Sequence, residues 1–196
     1  MKLLFLGPND SPLLEYLRFV ETLVVATMSR LDVSYLDAHK FDFLVSYNYR
    51  RILTGDILGR FPDRAINLHI ALLPWNRGAD PNFWSFVEKT PKGVTIHYLD
   101  EGVDTGDIIT QQEIDSFPDD TFRMMYDRLH NEIQGMFIEN WGYIRTGTCP
   151  RIKQPGMGTF HWAKEKDKYM HLLINEWDTP VSVVDNVFGN IDNAER

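Results

Sequence analysis

Four apolar segments within the first 73 residues predict buried strands. Their residues are apolar on both faces of an extended chain, which is typical of strands inside a parallel sheet. A helix is predicted after the first of them, because Ser11 and Pro12 form a helix-start pattern ahead of helically spaced leucines. Buried strands that alternate with helices indicate an α/β sheet. The four segments cover residues 2–7, 22–27, 41–47 and 65–73.

The patterns after residue 80 predict two more strands and a long helix. Residues 93–100 and 106–114 are strand-like and flank a turn, and Asp80-Pro81 begins a short helix. From residue 119 a long helix is predicted from the helical spacing of Phe122, Met125, Leu129, Ile133, Met136, Phe137, Trp141 and Ile144.

These elements predict a Rossmann-like, mostly parallel sheet flanked by helices, with a short C-terminal tail region. We expect residues 1–148 to form the main domain and residues 149–196 to form the tail or a small appendage. Gly147 and Pro150, on either side of that boundary, end the long helix.

Charge and cysteine content exclude several classes of function. The chain has 20 Lys and Arg against 28 Asp and Glu, a formal net charge of −8, which argues against a large nucleic-acid surface. Cys149 is the only cysteine, so neither an intramolecular disulfide nor a cysteine-based zinc site is expected. The apolar run near residue 1 is interrupted by Gly7-Pro8 and is too short for a signal peptide. No apolar run in the sequence reaches membrane-spanning length. We expect a cytoplasmic protein with no nucleic-acid or membrane partner.

The strand-like segment 65–73 carries two polar residues on one face. Alternate residues of a strand share a face, so Asn67 and His69 lie in one row with two alanines. Ligands of open α/β sheets bind at the carboxyl ends of strands, where both residues fall. Taken alone, His69 is better explained as an interior histidine with satisfied hydrogen bonds, and with Asn67 beside it a functional role is equally well supported.

The turn sequence DEGVDTGDII, residues 100–109, supplies a candidate acid, Asp104. The simplest interpretation is that Asp104 stabilises the turn. The Asp-Thr-Gly sequence also occurs in aspartic proteases, but that all-β fold needs two such loops and this chain has one.

Together the two motifs resemble the N10-formyltetrahydrofolate-dependent formyltransferase family. The resemblance rests on NLHIALLP, the following RG, and GVTIHYLDEGVDTGDII, which hold Asn, His and Asp in the family's order. The segment SYNYRRILTGDIL is similar to one wall of the family's folate pocket. Fewer residues precede Asn67 than in usual members, so we expect the N-terminal part of the catalytic domain, residues 1–148, to be trimmed.

The resemblance implies a direct transfer of a formyl group to a primary amine. Asn67 and protonated His69 would donate hydrogen bonds to the tetrahedral oxyanion, and Asp104 would hold the imidazole and help to move a proton. N10-formyltetrahydrofolate would be the co-substrate. No metal is implied, and we expect His97 to pack or to face solvent on its strand.

The resemblance also implies a binding surface for the folate. The pterin would lie against Arg51, Ile52 and Leu53 and against Val103 in the turn, recognised mainly by backbone groups. Taken alone, Arg51 is more simply a surface arginine.

The segment LLPWNRGADPNFWSF resembles the branch of the family that formylates nucleotide-linked amino sugars. Trp75, Asn76, Arg77 and Gly78 would then bind the acceptor, while Trp84 belongs to the core. The alternatives are a glycinamide-ribonucleotide-type or other small-amine formyltransferase and a catalytically silent binding or regulatory relative. A homodimer is one assembly compatible with the sequence, which does not fix the oligomeric state.

Overall fold

A central mixed sheet contains the segments that the sequence predicts as strands. The computed structural model describes residues 1–184. The strands are β1 Lys2–Leu6, β2 Leu23–Thr27, β3 Phe43–Tyr47, β4 Ala65–His69, β5 Arg77–Gly78, β6 Gly93–Tyr98, β7 Ile108–Glu113, β8 Phe160–His161 and β9 Ile174–Trp177. The central sheet has the order β2-β1-β3-β4-β6-β7, and β5 pairs with β8 in a separate small sheet.

Helices connect these strands. They are α1 Pro12–Val20, α2 Val33–His39, α3 Gly55–Leu58, α4 Pro81–Val87 and α5 Phe122–Thr146, followed by a 3-10 segment, Ala163–Leu172. The predicted start of α1 is confirmed, because the Ser11 hydroxyl accepts a hydrogen bond from the Leu13 amide at 3.3 Å and Pro12 occupies the first turn.

The strand directions confirm the predicted fold class and add one detail. β2, β1, β3 and β4 are parallel neighbours, whereas β6 runs antiparallel to β4. The predicted strand 65–73 ends earlier, at His69, and the chain then turns through residues 70–76. The end of β4 therefore lies where the chain leaves the sheet, which is the position expected for ligand-binding residues.

The described chain divides into two units that are interleaved in sequence. Unit 1 comprises Met1–His69, Thr95–Thr110 and Ile133–Gln154, and unit 2 comprises Ile70–Val94, Gln111–Glu132 and the segment from Pro155. The division expected at residues 148 and 149 stays a prediction, and residues 185–196 of the predicted tail lie outside the described residues.

Unit 1 buries the sheet under a continuous apolar core. β1 and β3 contribute Leu4, Leu6 and Leu44, as expected for strands covered on both faces. A buried carboxylate, Glu21, accepts a hydrogen bond from Trp141 Nε1 at 2.9 Å and pairs with the N-terminal ammonium at 3.1 Å. These charge-assisted bonds allow a carboxylate to be buried beside the core.

Unit 2 is built around aromatic side chains. Phe83, Trp84 and Phe86 on α4 are buried, and Phe122 packs against Phe83 and Phe86. Asn82 Nδ2 donates to the Phe122 carbonyl oxygen at 2.8 Å, which joins the start of α5 to α4. The expectation that Trp84 belongs to the core is confirmed.

The helix α5 confirms the apolar spacing read from the sequence. The eight apolar residues predicted for its inner face are all buried. Gly147, with φ of 71°, follows its last residue. Within residues 1–184, no helix is both long and apolar enough to cross a membrane.

Candidate active site

The antiparallel pairing of β4 with β6 places three polar side chains next to one another. Asn67 is paired with Ser46 on the parallel side and with His97 on the antiparallel side, and His69 is paired with Thr95. Residues opposite each other on paired strands have neighbouring side chains. The register therefore brings His97 beside the row formed by Asn67 and His69.

The turn between β6 and β7 presents Asp104 to this row. Asp104 has a positive φ of 52°, a conformation that favours Gly and Asn and is tolerated by Asp. Gly106 is required close by, because a Cβ there would overlap the carbonyl oxygen of Tyr98.

A different acid stabilises the turn itself. Asp100 Oδ1 accepts hydrogen bonds from the Gly102 amide at 3.1 Å and from the Thr105 hydroxyl at 2.6 Å. This is the side-chain-to-backbone pattern of an Asx turn. The interpretation that Asp104 only stabilises the turn is therefore wrong, since Asp100 performs that role and the Asp104 carboxylate points to the polar row.

Asp104 is the centre of the cluster. Asn67 Nδ2 donates to Asp104 Oδ1 at 3.1 Å, and His69 Nδ1 lies 3.7 Å from Asp104 Oδ2. The imidazole of His69 is buried, with 7% of the residue exposed. The structure brings all three predicted catalytic residues together, and the His69 contact is close enough for an ion pair but longer than a hydrogen bond.

His97 completes the cluster: of the two alternatives expected for it, it is packed in the interior rather than facing solvent. It is 1% exposed, and its Nε2 lies 3.4 Å from Asp104 Oδ1 and 3.3 Å from Asn67 Nδ2. The signal for this position was present in the sequence as the alternation of Thr95, His97 and Leu99, but it needs the register of β4 and β6 to be read.

Gln154 holds the turn from the other side. Its Nε2 donates to the carbonyl oxygens of Asp104 and Gly106, each at 2.8 Å. Sequence reasoning missed this residue, because no local pattern connects positions 104 and 154. Among residues 1–184, no group of three or more His, Cys, Asp or Glu side chains has the arrangement of a metal site.

Comparison with known proteins identifies the family. The model of the protein family described as formyl transferase matches residues 26–140 of the chain. The chain belongs to the formyl transferase family.

Individual relatives of this formyl transferase differ in length and in partner. The formyltransferase PseJ from Anoxybacillus kamchatkensis, solved in complex with UDP-4,6-dideoxy-4-formamido-L-AltNAc and tetrahydrofolate, is 48% identical, with a TM-score of 0.90 and coverage of 94% of this chain and 97% of that one. Phosphoribosylglycinamide formyltransferase from Streptococcus pneumoniae is 27% identical, with a TM-score of 0.56 and coverage of 71% and 83%.

A longer relative shares only part of its length with this formyl transferase. Methionyl-tRNA formyltransferase of Desulforamulus reducens is 30% identical over 162 residues, which are 75% of this chain. The chain spans about half, 51%, of the length of that curated relative.

Two of the four residues predicted to bind folate, Ile52 and Leu53, line a cavity in unit 1. Ile52 is 65% exposed and lines this cavity of about 460 Å³ together with Leu53, which is otherwise part of the core. Arg51 is exposed, and its Nε donates to the Met28 carbonyl oxygen at 3.4 Å. Val103 is half-buried in the turn next to Asp104. Their contact with folate stays a prediction.

The residues predicted to bind the acceptor are engaged within unit 2 of this formyl transferase. The side chain of Asn76 is fully buried, and its Nδ2 donates to Glu88 Oε2 at 3.2 Å. Arg77 Nη1 donates to the Met157 carbonyl oxygen at 3.0 Å. A Cβ at Gly78 would overlap the His161 carbonyl oxygen of β8.

The four positions thus differ in what they present to solvent. Asn76 is used inside unit 2 and Gly78 permits the β5–β8 pairing, so both shape the segment rather than offer a side chain to solvent. Trp75 is 37% exposed, and Arg77 is partly exposed. A role of these four residues in acceptor binding stays a prediction.

Proposed function

We propose that this formyl transferase moves the formyl group of N10-formyltetrahydrofolate to the primary amine of a nucleotide-linked amino sugar. The observation that carries the proposal is the convergence of Asn67 and His69 on the carboxylate of Asp104 at the end of β4. The family match supports the reaction class. The likeness to PseJ, at 48% identity, supports the sugar acceptor.

The chemistry requires donors for a developing oxyanion. The amine nitrogen attacks the formyl carbon, the carbonyl oxygen becomes negative, and the bond from carbon to N10 then breaks. Asn67 Nδ2 and His69 Nε2 would donate to that oxygen, an arrangement worth a few kcal/mol of barrier for each donor.

Asp104 has two further tasks in this proposal. Its Oδ2 faces His69 Nδ1 and would orient the ring so that Nε2 is directed at the oxyanion. The proton lost by the amine passes by way of Asp104 or a water to N10, so that tetrahydrofolate leaves as the neutral amine. No covalent enzyme intermediate is required.

The acceptor can be narrowed from the PseJ complex. A 4-formamido sugar and tetrahydrofolate, both named in that complex, are together what a formyl transfer to a 4-amino group leaves. We therefore propose a UDP-linked 4-amino-4,6-dideoxy sugar as the acceptor. A cytoplasmic location and a homodimer are further parts of the proposal.

The test is product formation by the full-length chain. Purified protein is incubated with N10-formyltetrahydrofolate and a UDP-linked 4-amino-4,6-dideoxy-N-acetyl sugar, and mass spectrometry follows the gain of one formyl group. His69→Ala and Asp104→Asn should each lower kcat by about two orders of magnitude or more.

The competing functions give other results. A glycinamide-ribonucleotide-type enzyme would leave the amino sugar unchanged and would formylate the amine of glycinamide ribonucleotide in a parallel reaction. A catalytically silent relative would form no product from either amine. Near-complete turnover by His69→Ala would contradict the assigned mechanism.

A further inference from the structure

The turn that carries Asp104 is held by one side chain close in sequence and by one far away. Asp100 holds the first half of the turn by hydrogen bonds within residues 100–105. Gln154, which is 50 residues beyond Asp104, holds the second half, since its Nε2 donates to the carbonyl oxygens of Asp104 and Gly106. The proposed mechanism gives no task to this distant amide.

The backbone at Asp104 needs support from its surroundings. Its φ of 52° lies in the left-handed region, which a residue with a Cβ adopts only when neighbouring groups impose it. The two bonds from Gln154, each of 2.8 Å, fix the orientation of the peptide group that follows Asp104 and of the one that follows Gly106. Because the peptide groups of the turn set the direction of the Cα–Cβ bond, these bonds also help to set the direction of the Asp104 carboxylate.

The segment that carries Gln154 is itself fixed against the start of β7. The Ile108 amide donates to the Ile152 carbonyl oxygen at 2.7 Å, and the Ile152 amide donates back at 2.9 Å. Arg151 Nε donates to Asp107 Oδ2 at 2.9 Å. The amide of Gln154 is therefore brought to the turn by a backbone that is anchored two residues earlier in the chain.

We propose that Gln154 is a positioning residue for the formyl transfer: its two hydrogen bonds keep the Asp104 carboxylate directed at the end of β4. That carboxylate lies 3.1 Å from Asn67 Nδ2 and 3.7 Å from His69 Nδ1. The kinetic consequence rests on the proposed function, whereas the geometry can be tested without turnover. Gln154 acts on the backbone of the turn in this account and does not touch the reacting atoms.

Two variants separate the hydrogen bonds of Gln154 from its packing. Gln154→Met keeps an unbranched side chain of similar length and removes both donated bonds, and it should lower kcat about 10- to 100-fold, the cost of displacing a catalytic group by up to about an ångström. KM for the amino sugar should change less than about threefold, because the lost interaction does not bind the acceptor. Gln154→Lys can donate to both carbonyl oxygens and should recover kcat to within several-fold of the wild type.

A double-mutant cycle with Asp104→Ala shows whether Gln154 acts through that carboxylate. Gln154→Met should lower the residual kcat of Asp104→Ala by less than about threefold, because no carboxylate is left to position. A loss of the same size in both backgrounds would overturn the inference. If Gln154→Met does not fold, Gln154→Asn takes its place in the cycle, since its side chain is too short to reach both oxygens.

Crystal structures of the wild type and of the Gln154 variant distinguish failure of this inference from failure of the proposed function. If the wild type makes no formylated product, the proposed function has failed. The distance between Asn67 Nδ2 and Asp104 Oδ1, 3.1 Å in the wild type, should still exceed hydrogen-bond range in the variant. An unchanged distance, or a productive wild type beside a folded Gln154→Met with the same kcat, would overturn this inference alone. The structures also decide where the residual rate of Asp104→Ala is too low to measure.

Discussion

Two histidine clusters, one in each unit, use carboxylates in opposite ways. In unit 2 one imidazole, that of His161, lies between two carboxylates, with Nε2 2.8 Å from Glu88 and Nδ1 2.9 Å from Glu165. In unit 1 two imidazoles share the single carboxylate of Asp104 at 3.4 and 3.7 Å. The first arrangement saturates its histidine with short bonds, whereas the second leaves bonds that can tighten when a ligand arrives.

The histidine of unit 2 is also held by ring stacking. The ring of His161 stacks on Trp84, with 3.7 Å between ring centres and 9° between planes. The hydrogen bond from His161 holds the pKa of Glu165 below its usual range. A histidine that is stacked on a ring and hydrogen-bonded at both nitrogens stabilises the fold. A histidine that lies 3.7 Å from a carboxylate at the end of a strand is suited to chemistry.

The largest expected effect is on stability and lies at the stacked cluster. Trp84→Ala removes a buried ring that contacts Phe83, His161 and Tyr169, and should cost ~3–5 kcal/mol of unfolding free energy. Urea unfolding measures the loss. Trp84→Phe is the matched control and should cost much less, since the Trp84 Nε1 proton finds no hydrogen-bond acceptor within residues 1–184.

The next effect is on turnover and lies at the cluster around Asp104. His69→Ala should lower kcat by at least about 100-fold, or ~3 kcal/mol of barrier, while the midpoint of urea unfolding stays close to that of the wild type. If His69→Ala lost stability and kept its turnover, His69 would have a structural role rather than a catalytic one.

A third histidine, His130 in unit 2, belongs to neither cluster and tests how burial of an imidazole makes the stability depend on pH. Burial lowers the pKa of His130 from 6.5 to about 4. The unfolded chain therefore takes up a proton between these values that the native chain refuses, and stability present above pH 6.5 is lost as pH falls toward 4, by up to ~3 kcal/mol.

The control for this pH effect is His130→Gln. Urea unfolding at pH 6.5 and at pH 4 should show a smaller acid-induced loss in the variant than in the wild type. Equal losses would mean that carboxylates such as Asp120, whose pKa is lowered by Arg128, account for the whole effect.

The smallest expected effect comes from removing the imidazole of His161, which is hydrogen-bonded at both nitrogens. His161→Ala breaks the bonds to Glu88 and Glu165 and should lower the midpoint of urea unfolding by less than Trp84→Ala does. Cleavage by a protease near residues 157–161 should become faster, while kcat of the formyl transfer stays within about threefold. Loss of turnover comparable to that of His69→Ala would give His161 a catalytic role.

Local patterns were sufficient for much of the fold. The row of Asn67 and His69, the helix start at Ser11 and the inner face of α5 each follow from spacing within one element, and the structure has all three. Spacing carries this information because a strand repeats every two residues and a helix every 3.6.

Contacts between distant segments could not be read in the same way. The antiparallel placement of β6, and with it the position of His97, depends on strand register rather than on composition. Asn76, Arg77 and Gly78 look like ligand-binding residues in sequence, but β8 and Glu88 engage them. A polar residue beside a glycine can bind a ligand or stabilise the fold, and only its contacts in the structure distinguish these two roles.

The amide of Gln154 bears on how members of this family can be recombined. One side chain from the region after α5 bridges the peptide groups on either side of the Asp104 turn. A chimera that exchanges its C-terminal third with another member of the family therefore also exchanges the side chain that braces the Asp104 turn. Such a hybrid should retain normal catalysis only where the incoming segment carries an amide at the equivalent place.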